Sequence, residues 1–116
     1  MAVQLGYFTF SVPDTERGTR FYGPLFGWTF DDASAGHPKA YRHVNNTEVP
    51  GGLVNGDEAM PFRPYFRVDD IYRTVAALRE LGGTAQEPFE TDSGWSCLAR
   101  DDQGVPFGLW QPAPGL

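Results

Sequence analysis

The stretch that decides the fold is YFTFSVPD at residues 7–14, an alternating strand pattern that ends at an aspartate. A similar stretch, RPYFRVDD, occupies residues 63–70. A segment with helical spacing follows each, and these segments end in FYGPLFGW at 21–28 and in LGG at 81–83. Because the same order of patterns occurs twice, the sequence predicts an α+β fold of two βαβββ modules.

The repeat divides one domain, residues 1–116, into two modules. Module one spans about 3–55 and module two about 63–112, with a linker at about 55–62. In module one we expect a strand at 3–12, a helix capped by Asp14 and broken or bent at Gly23-Pro24, and further strands at 25–31, 39–46 and 48–55.

Module two contains the clearest helical pattern in the chain. Ile71, Val75, Leu78 and Leu81 fall at helical spacing, and Gly82 supplies the stop signal. Strands are then expected at 84–91, 95–101 and 105–111.

Composition and charge limit the classes of function. The hydrophobic fraction is 41%, the aromatic fraction is 15% and the formal net charge is −6. An acidic chain repels phosphate backbones, so nucleic-acid binding is disfavoured, whereas a cationic ligand would be attracted. One cysteine, no signal-peptide pattern and no long apolar run predict a cytoplasmic protein that does not enter a membrane.

The paired motifs resemble those of the vicinal oxygen chelate superfamily, and the resemblance covers about residues 3–112. Its members include glyoxalase I, extradiol dioxygenases, fosfomycin resistance enzymes and bleomycin-resistance binding proteins. The motifs that carry it are FYGPLFGW at 21–28, YFRVDD at 65–70 and DQGVPFGLWQP at 102–112. The resemblance implies a half-open, barrel-like sheet that binds its ligand or metal in a cleft.

Metal-dependent members of that superfamily take one His, Glu or Gln ligand from each of four strands. The corresponding positions here hold Tyr7, Gly52, Arg63 and Gly108. This set lacks the usual nitrogen and oxygen donors, and the cationic Arg63 would repel a divalent metal. The resemblance and this departure together predict no bound metal and no cofactor.

The two-residue period of the strands places further side chains on the cleft face. Aromatic walls with an arginine anchor are typical of small-molecule sites, and the glycines would leave space for a ligand. Alternatively, the aromatic side chains simply fill the half-open barrel. The candidate ligand-binding residues are Tyr7, Thr9, Gly52, Arg63, Tyr65, Gly108 and Trp110.

Other reactive residue types have simpler interpretations. His37 lies before a proline in a loop, and Cys97 is expected to be a buried, inert thiol. Asp101 and Asp102 precede a glycine and indicate a turn. His43 lies in a strand, where it is either an ordinary strand residue or a general base that needs a partner.

The sequence favours a metal-independent protein that binds a small aromatic or partly anionic molecule. Two alternatives stay open, namely a metal-free enzyme that uses Tyr or Arg and a metal-dependent lyase or dioxygenase of the same superfamily. We also expect a homodimer, because two such modules leave sheet edges and apolar faces that a second copy can cover.

Overall fold

A computed structural model describes residues 2–32, 41–56 and 60–115. Within these residues it has a mixed α+β architecture of two helices and eight strands, as expected for its fold class. In chain order these are β1 (Gln4–Val12), α1 (Thr15–Phe26), β2 (Tyr41–Val44), β3 (Gly51–Asn55), β4 (Phe62–Arg67), α2 (Ile71–Glu80), β5 (Thr84–Ala85), β6 (Phe89–Thr91), β7 (Gly94–Arg100) and β8 (Pro106–Pro112).

The chain forms two compact units whose boundaries fall inside β1 and β4. We call residues 8–63 the N-terminal unit, and residues 1–7 with 64–116 the C-terminal unit. The module boundaries 3–55 and 63–112 follow from the sequence repeat and stay a prediction.

The N-terminal unit orders its strands as β2, β3 and β1. β1 pairs with β3 in parallel, and β2 pairs with β3 in antiparallel register. Gly18 lets α1 approach the sheet closely, since a Cβ at this position would meet Leu53 Cδ1 at 2.8 Å. The helix is also tied to β2 by Arg42, whose guanidinium binds the Glu16 carboxylate at 2.7 Å.

The C-terminal unit orders its strands as β4, β8, β7 and β5, and β6 also pairs with β7. β4 pairs with β8 in parallel, and β7 pairs with β8 in antiparallel register. α2 covers one face of these strands. The buried cluster on that face comprises Val68, Ile71, Val75, Cys97 and Leu109.

Both helices begin at the predicted aspartate caps. Asp14 accepts hydrogen bonds from the backbone N–H groups of Glu16 and Arg17 at 3.0 and 3.1 Å. Asp70 accepts from the N–H of Arg73 at 3.0 Å. Each carboxylate thereby satisfies donors that lack a partner in the first helical turn.

The predicted end of α1 is wrong. The helix continues through Pro24 to Phe26, and Gly27 ends it in a left-handed conformation with φ of 70°. Pro24 removes only one hydrogen bond near the helix end, and Gly23 has no Cβ to clash with the proline ring. The strand expected at 25–31 is therefore reduced to a bridge between Phe30 and Val44.

Two further expectations in module two need correction. The strand expected at 84–91 is interrupted and forms β5 and β6, with Pro88, which has no N–H to donate, lying between them. Leu81, predicted to lie on the apolar face of α2, caps the helix and is largely exposed. The helix itself and the strands β7 and β8 match their predicted positions to within a residue.

Among the described residues, neither helix combines the length and apolar character needed to cross a membrane. Parts of two predicted segments fall outside these residues, namely 39–40 of the first hairpin strand and 57–59 of the linker.

Candidate functional site

Three candidate residues lie in the N-terminal unit, on the face of the strands that carries no helix. Thr9 on β1 pairs with Gly52 on β3, and Gly52 pairs in turn with His43 on β2. Directly paired residues share a face of a sheet, so these positions form a row across three strands. α1 lies on the opposite face, where it contacts Leu53.

Arg63 extends this row onto β4. The Ser11 N–H donates to the Pro61 carbonyl at 2.7 Å, so the start of β4 runs beside β1. The ring of Phe62 contacts Phe10 on the helix-bearing face at a centroid distance of 5.0 Å. Because successive residues alternate, Arg63 points to the face of Thr9.

Arg63 as a whole residue is half-buried. Within residues 2–32, 41–56 and 60–115 its guanidinium makes no ion pair or hydrogen bond. In the same described part of the chain, the hydroxyl of Thr9 and the imidazole of His43 also make no hydrogen bond. The row therefore offers one fixed positive charge and two further polar groups to a ligand.

Gly52 is covered by the ring of Tyr41, a residue that the sequence analysis did not select. A Cβ on Gly52 would overlap the phenol group of Tyr41. Tyr41 lies two residues before His43 on β2, so it is the diagonal neighbour of Gly52, within reach of an aromatic side chain. The register of the β2–β3 hairpin is the signal that could have identified Tyr41.

The other four candidate residues come together in the C-terminal unit. Tyr7 contacts Tyr65 edge-on at a centroid distance of 5.9 Å, and it contacts Trp110 at 6.1 Å. Tyr65 pairs with Gly108 across β4 and β8. These residues lie on the face opposite α2, because Leu109, next to Gly108, belongs to the buried cluster under that helix.

The glycines do not leave the open space expected from the sequence. A Cβ on Gly108 would overlap the ring of Tyr65, just as one on Gly52 would overlap Tyr41. In both units, a tyrosine from a neighbouring strand lies over the glycine. An aromatic ring that covers a strand glycine restores the packing that the missing side chain would supply.

Trp110 is fixed by contacts at both ends of its ring system. Its indole Nε1 donates a hydrogen bond to the Ser93 carbonyl at 3.1 Å. The guanidinium carbon of Arg67 lies 5.8 Å from the ring centroid, within the range of a cation–π contact. The indole face, rather than its N–H, is therefore the part of Trp110 that can contact a ligand.

The four positions that the resemblance aligns with metal ligands lack a suitable set of donor side chains in this chain. Gly52 and Gly108 supply no donor atoms and are covered by rings. The guanidinium of Arg63 presents only N–H donors and has no lone pair for a metal. Among the described residues, no group of three or more His, Cys, Asp or Glu side chains is placed to hold a metal ion.

The remaining reactive residues have structural roles where the structure describes them. Cys97 is fully buried, its Sγ donates to the Gln86 carbonyl at 3.3 Å, and burial raises the pKa of the thiol. Asp101 accepts from the N–H groups of Gln103 and Val105 at 2.8 and 2.9 Å, which forms the predicted turn. His37 lies outside the described residues.

A surface groove of about 470 Å³ lies elsewhere in the C-terminal unit. It runs beside the end of α2 and contains none of the seven candidate residues. Its lining is mainly apolar, with two carboxylates, and comprises Thr74, Ala77, Leu78, Leu81, Gly83, Asp101, Asp102 and Phe107.

Comparison with solved structures shows the same fold in several proteins. A methylmalonyl-CoA epimerase from Mycobacterium tuberculosis is 16% identical, with a TM-score of 0.73 over 95% of this chain and 88% of that one. A hypothetical protein from Bacillus halodurans C-125 is 12% identical, with a TM-score of 0.79 over 100% and 99%. A Streptomyces coelicolor methylmalonyl-CoA epimerase variant in complex with 2-nitronate-propionyl-CoA is 15% identical, with a TM-score of 0.72 over 98% and 97%.

At these identities the likeness concerns the fold alone. No curated protein sequence matches the chain significantly. The sequence profile of the glyoxalase-like domain matches residues 7–110, which is most of the chain. The resemblance found from the motifs is thus confirmed, and the chain belongs to the glyoxalase-like domain family of the vicinal oxygen chelate superfamily.

Proposed function

We propose that the chain is a metal-independent small-molecule-binding protein whose ligand is a small aromatic or partly anionic molecule. The observation that carries the proposal is the pair of tyrosine rings over Gly52 and Gly108. Positions that hold metal ligands in relatives are occupied here by aromatic surface. A planar ligand can pack its ring against such an aromatic surface. Positions without metal donors offer it no comparable interaction.

The aromatic part of the ligand would contact the C-terminal unit. Tyr7, Tyr65 and Trp110 meet there at centroid distances near 6 Å, typical of a tilted or edge-on aromatic cluster. Since the Trp110 N–H is already bound to Ser93, the cluster recognises shape and apolar area rather than a hydrogen-bond acceptor.

In the N-terminal unit, an anionic group on a ligand would bind Arg63. This residue is half-buried, and its guanidinium has no carboxylate partner in the described part of the chain. A carboxylate or enolate on the ligand would accept hydrogen bonds strengthened by charge, and the hydroxyl of Thr9 lies on the same face to add another. The net charge of −6 favours cations in general, but a side chain on the candidate site's own face acts at shorter range.

A thermal-shift screen tests the proposal directly. Benzoate, 4-hydroxybenzoate and benzylamine separate charge from aromaticity, and cyclohexanecarboxylate tests the need for a planar ring. Methylmalonyl-CoA belongs in the screen because solved structures of this fold include its epimerase. We expect aromatic carboxylates to raise the melting temperature and benzylamine to have no effect.

Variants then locate the site. Arg63→Ala should weaken carboxylate binding by about 1.5–3 kcal/mol, or roughly tenfold to a hundredfold, while Arg73→Ala on α2 should change it little.

Trp110→Ala should weaken binding of the ligand's aromatic ring, and Tyr72→Ala, at an exposed tyrosine, is the control. Hits that bind both single variants as tightly as the wild type would place the site elsewhere.

A second candidate function is a metal-free enzyme, and the observation that favours it is the placement of His43. The imidazole lies on the same face as Thr9 and is paired with Gly52, so it could transfer a proton to or from a ligand held there. Incubation of each hit in D₂O, followed by proton NMR, would detect exchange or turnover. Loss of that signal in His43→Gln with binding retained would support catalysis, whereas hits that stay unchanged with the wild type support the carrier function.

A further inference from the structure

An apolar surface lies on the outer side of the N-terminal unit, far from the row formed by Thr9, Gly52 and His43. We define the α1 surface as Phe21, Leu25, Phe26 and Phe62, whose exposed fractions are 62%, 60%, 53% and 44%. The helix that carries three of these residues buries only Thr15 and Gly18. Phe21, Leu25 and Phe26 therefore stay exposed, while Tyr22 on the same helix packs against the sheet.

The α1 surface is held in place by rings beneath it. Phe21 and Phe26 contact Tyr22 at centroid distances of 5.1 and 5.7 Å, and Tyr22 stacks on Phe10 at 5.3 Å. Phe62 contacts the same Phe10 at 5.0 Å. The exposed side chains thus belong to one continuous aromatic cluster, so binding a partner would cost little side-chain ordering.

The α1 surface is a larger contiguous apolar area than single, scattered exposed side chains would form. Aromatic side chains offer about 150–250 Å² each, so three half-exposed phenylalanines and a leucine present on the order of 400 Å² of apolar surface. Patches of this size on soluble monomers are often functional. A standard interface buries about 800 Å² on each partner, with an apolar centre and a polar rim. The α1 surface has the area of such a centre.

The charge pattern of α1 suits a second copy of the same chain. A two-fold axis places identical residues near each other, so any charge at the centre of the contact would face its own copy. Residues 21–30, FYGPLFGWTF, carry no charged side chain in a chain whose net charge is −6. Arg17 lies one turn before Phe21 and Arg20 lies immediately before it, where they can form the polar rim.

We propose that the α1 surface is the centre of a homodimer interface, formed by the same surface of a second copy. Dimerisation as such is expected from the sequence, and the structure adds the surface and its residues. In the N-terminal unit, this surface lies on the side of the strands opposite Arg63 and Thr9. The interface therefore stands independently of the proposed ligand.

The test is the molar mass in solution by light scattering coupled to size exclusion, at loadings up to about 100 µM because dimerisation depends on concentration. The wild type should have twice the chain mass of 12.8 kDa. The double variant Phe21→Glu, Leu25→Glu should have the single mass, or a dissociation constant raised at least about tenfold. Its circular dichroism should match the wild type, since glutamate is a good helix former and both sites are exposed.

Leu81→Glu is the matched control, because Leu81 is 79% exposed on the C-terminal unit and should leave the dimer intact. If the double variant loses its helical signal, Phe62→Ser replaces it, since this residue lies on β4 and leaves α1 unchanged. A wild type with the single mass at every loading overturns the proposal. A double variant that keeps the wild-type mass, or a Leu81→Glu variant that dissociates equally, overturns it as well.

Discussion

At the scale of single residues, the decisive pairs are a glycine and the tyrosine ring that covers it. Gly108 and Tyr65 are directly paired, and a Cβ at 108 would overlap the ring. We expect Gly108→Ala to lower the free energy of unfolding by about 1–3 kcal/mol, as other overpacking substitutions do. Urea denaturation measures this change.

A double-mutant cycle isolates the cause of that loss. In a Tyr65→Ala background the added methyl group has room, so Gly108→Ala should be nearly neutral there. Equal costs in the two backgrounds would mean that the backbone at 108, rather than the tyrosine ring, requires glycine.

Cys97 gives a prediction about pH. Burial raises the pKa of its thiol above the ordinary value of about 8.5. The neutral thiol is compatible with the core, and its contribution to stability is fully present below that ordinary value. As the pH rises further, unfolding lets the thiol ionise, so the free energy of unfolding should fall more steeply than in Cys97→Ala. Parallel pH profiles of the two proteins would contradict this.

The sequence predicted which face each site residue occupies, but not what covers it. Alternation placed Tyr7 and Thr9 on the face opposite Phe8 and Phe10, and the pairing of β1 with β3 agrees. The position of Tyr41 over Gly52 depends on the register of the β2–β3 hairpin. Register depends on turn geometry and packing as well as on the hydrophobic pattern, so it could not be derived from composition or spacing.

At the scale of elements, the helix caps are where local sequence predicted structure best. Asp70 binds the N–H of Arg73, so Asp70→Ala should lower the free energy of unfolding by about 0.5–2 kcal/mol. Asp69→Ala is the matched control, since the neighbouring carboxylate caps nothing and should change stability by less than about 0.5 kcal/mol. Similar losses in both variants would mean that charge, rather than capping, matters at this helix end.

The end of α1 was mispredicted because two local signals compete there. Proline at position 24 predicted a break, yet the helix runs on to Phe26 and ends at Gly27. A proline close to the helix end costs a single hydrogen bond, and Tyr22 and Phe26 gain ring contacts when the helix continues. The ring contacts of Tyr22 and Phe26 thus outweighed the tendency of proline to end a helix.

At the scale of the whole molecule, the repeat was the informative feature. Each half of the chain contains a strand, an aspartate-capped helix and a later strand that pairs with the first in parallel, as β1 does with β3 and β4 with β8. Local spacing predicted both strand–helix pairs. It could not predict that the compact units divide inside β1 and β4, because that division depends on contacts distant in sequence.

The last prediction concerns metal content, and it involves all four positions at which relatives hold ligands. Tyr7, Gly52, Arg63 and Gly108 lack a suitable donor set, and rings cover both glycines. Protein purified without a histidine tag should therefore contain no stoichiometric Zn, Ni, Fe or Mn by elemental analysis. Titration with each metal should leave the melting temperature unchanged, since a ligand that binds only the folded state would raise it. One equivalent of metal that disappears in Tyr7→Phe or Arg63→Ala would contradict the strand placement, and a metal-dependent lyase or dioxygenase would become the leading hypothesis.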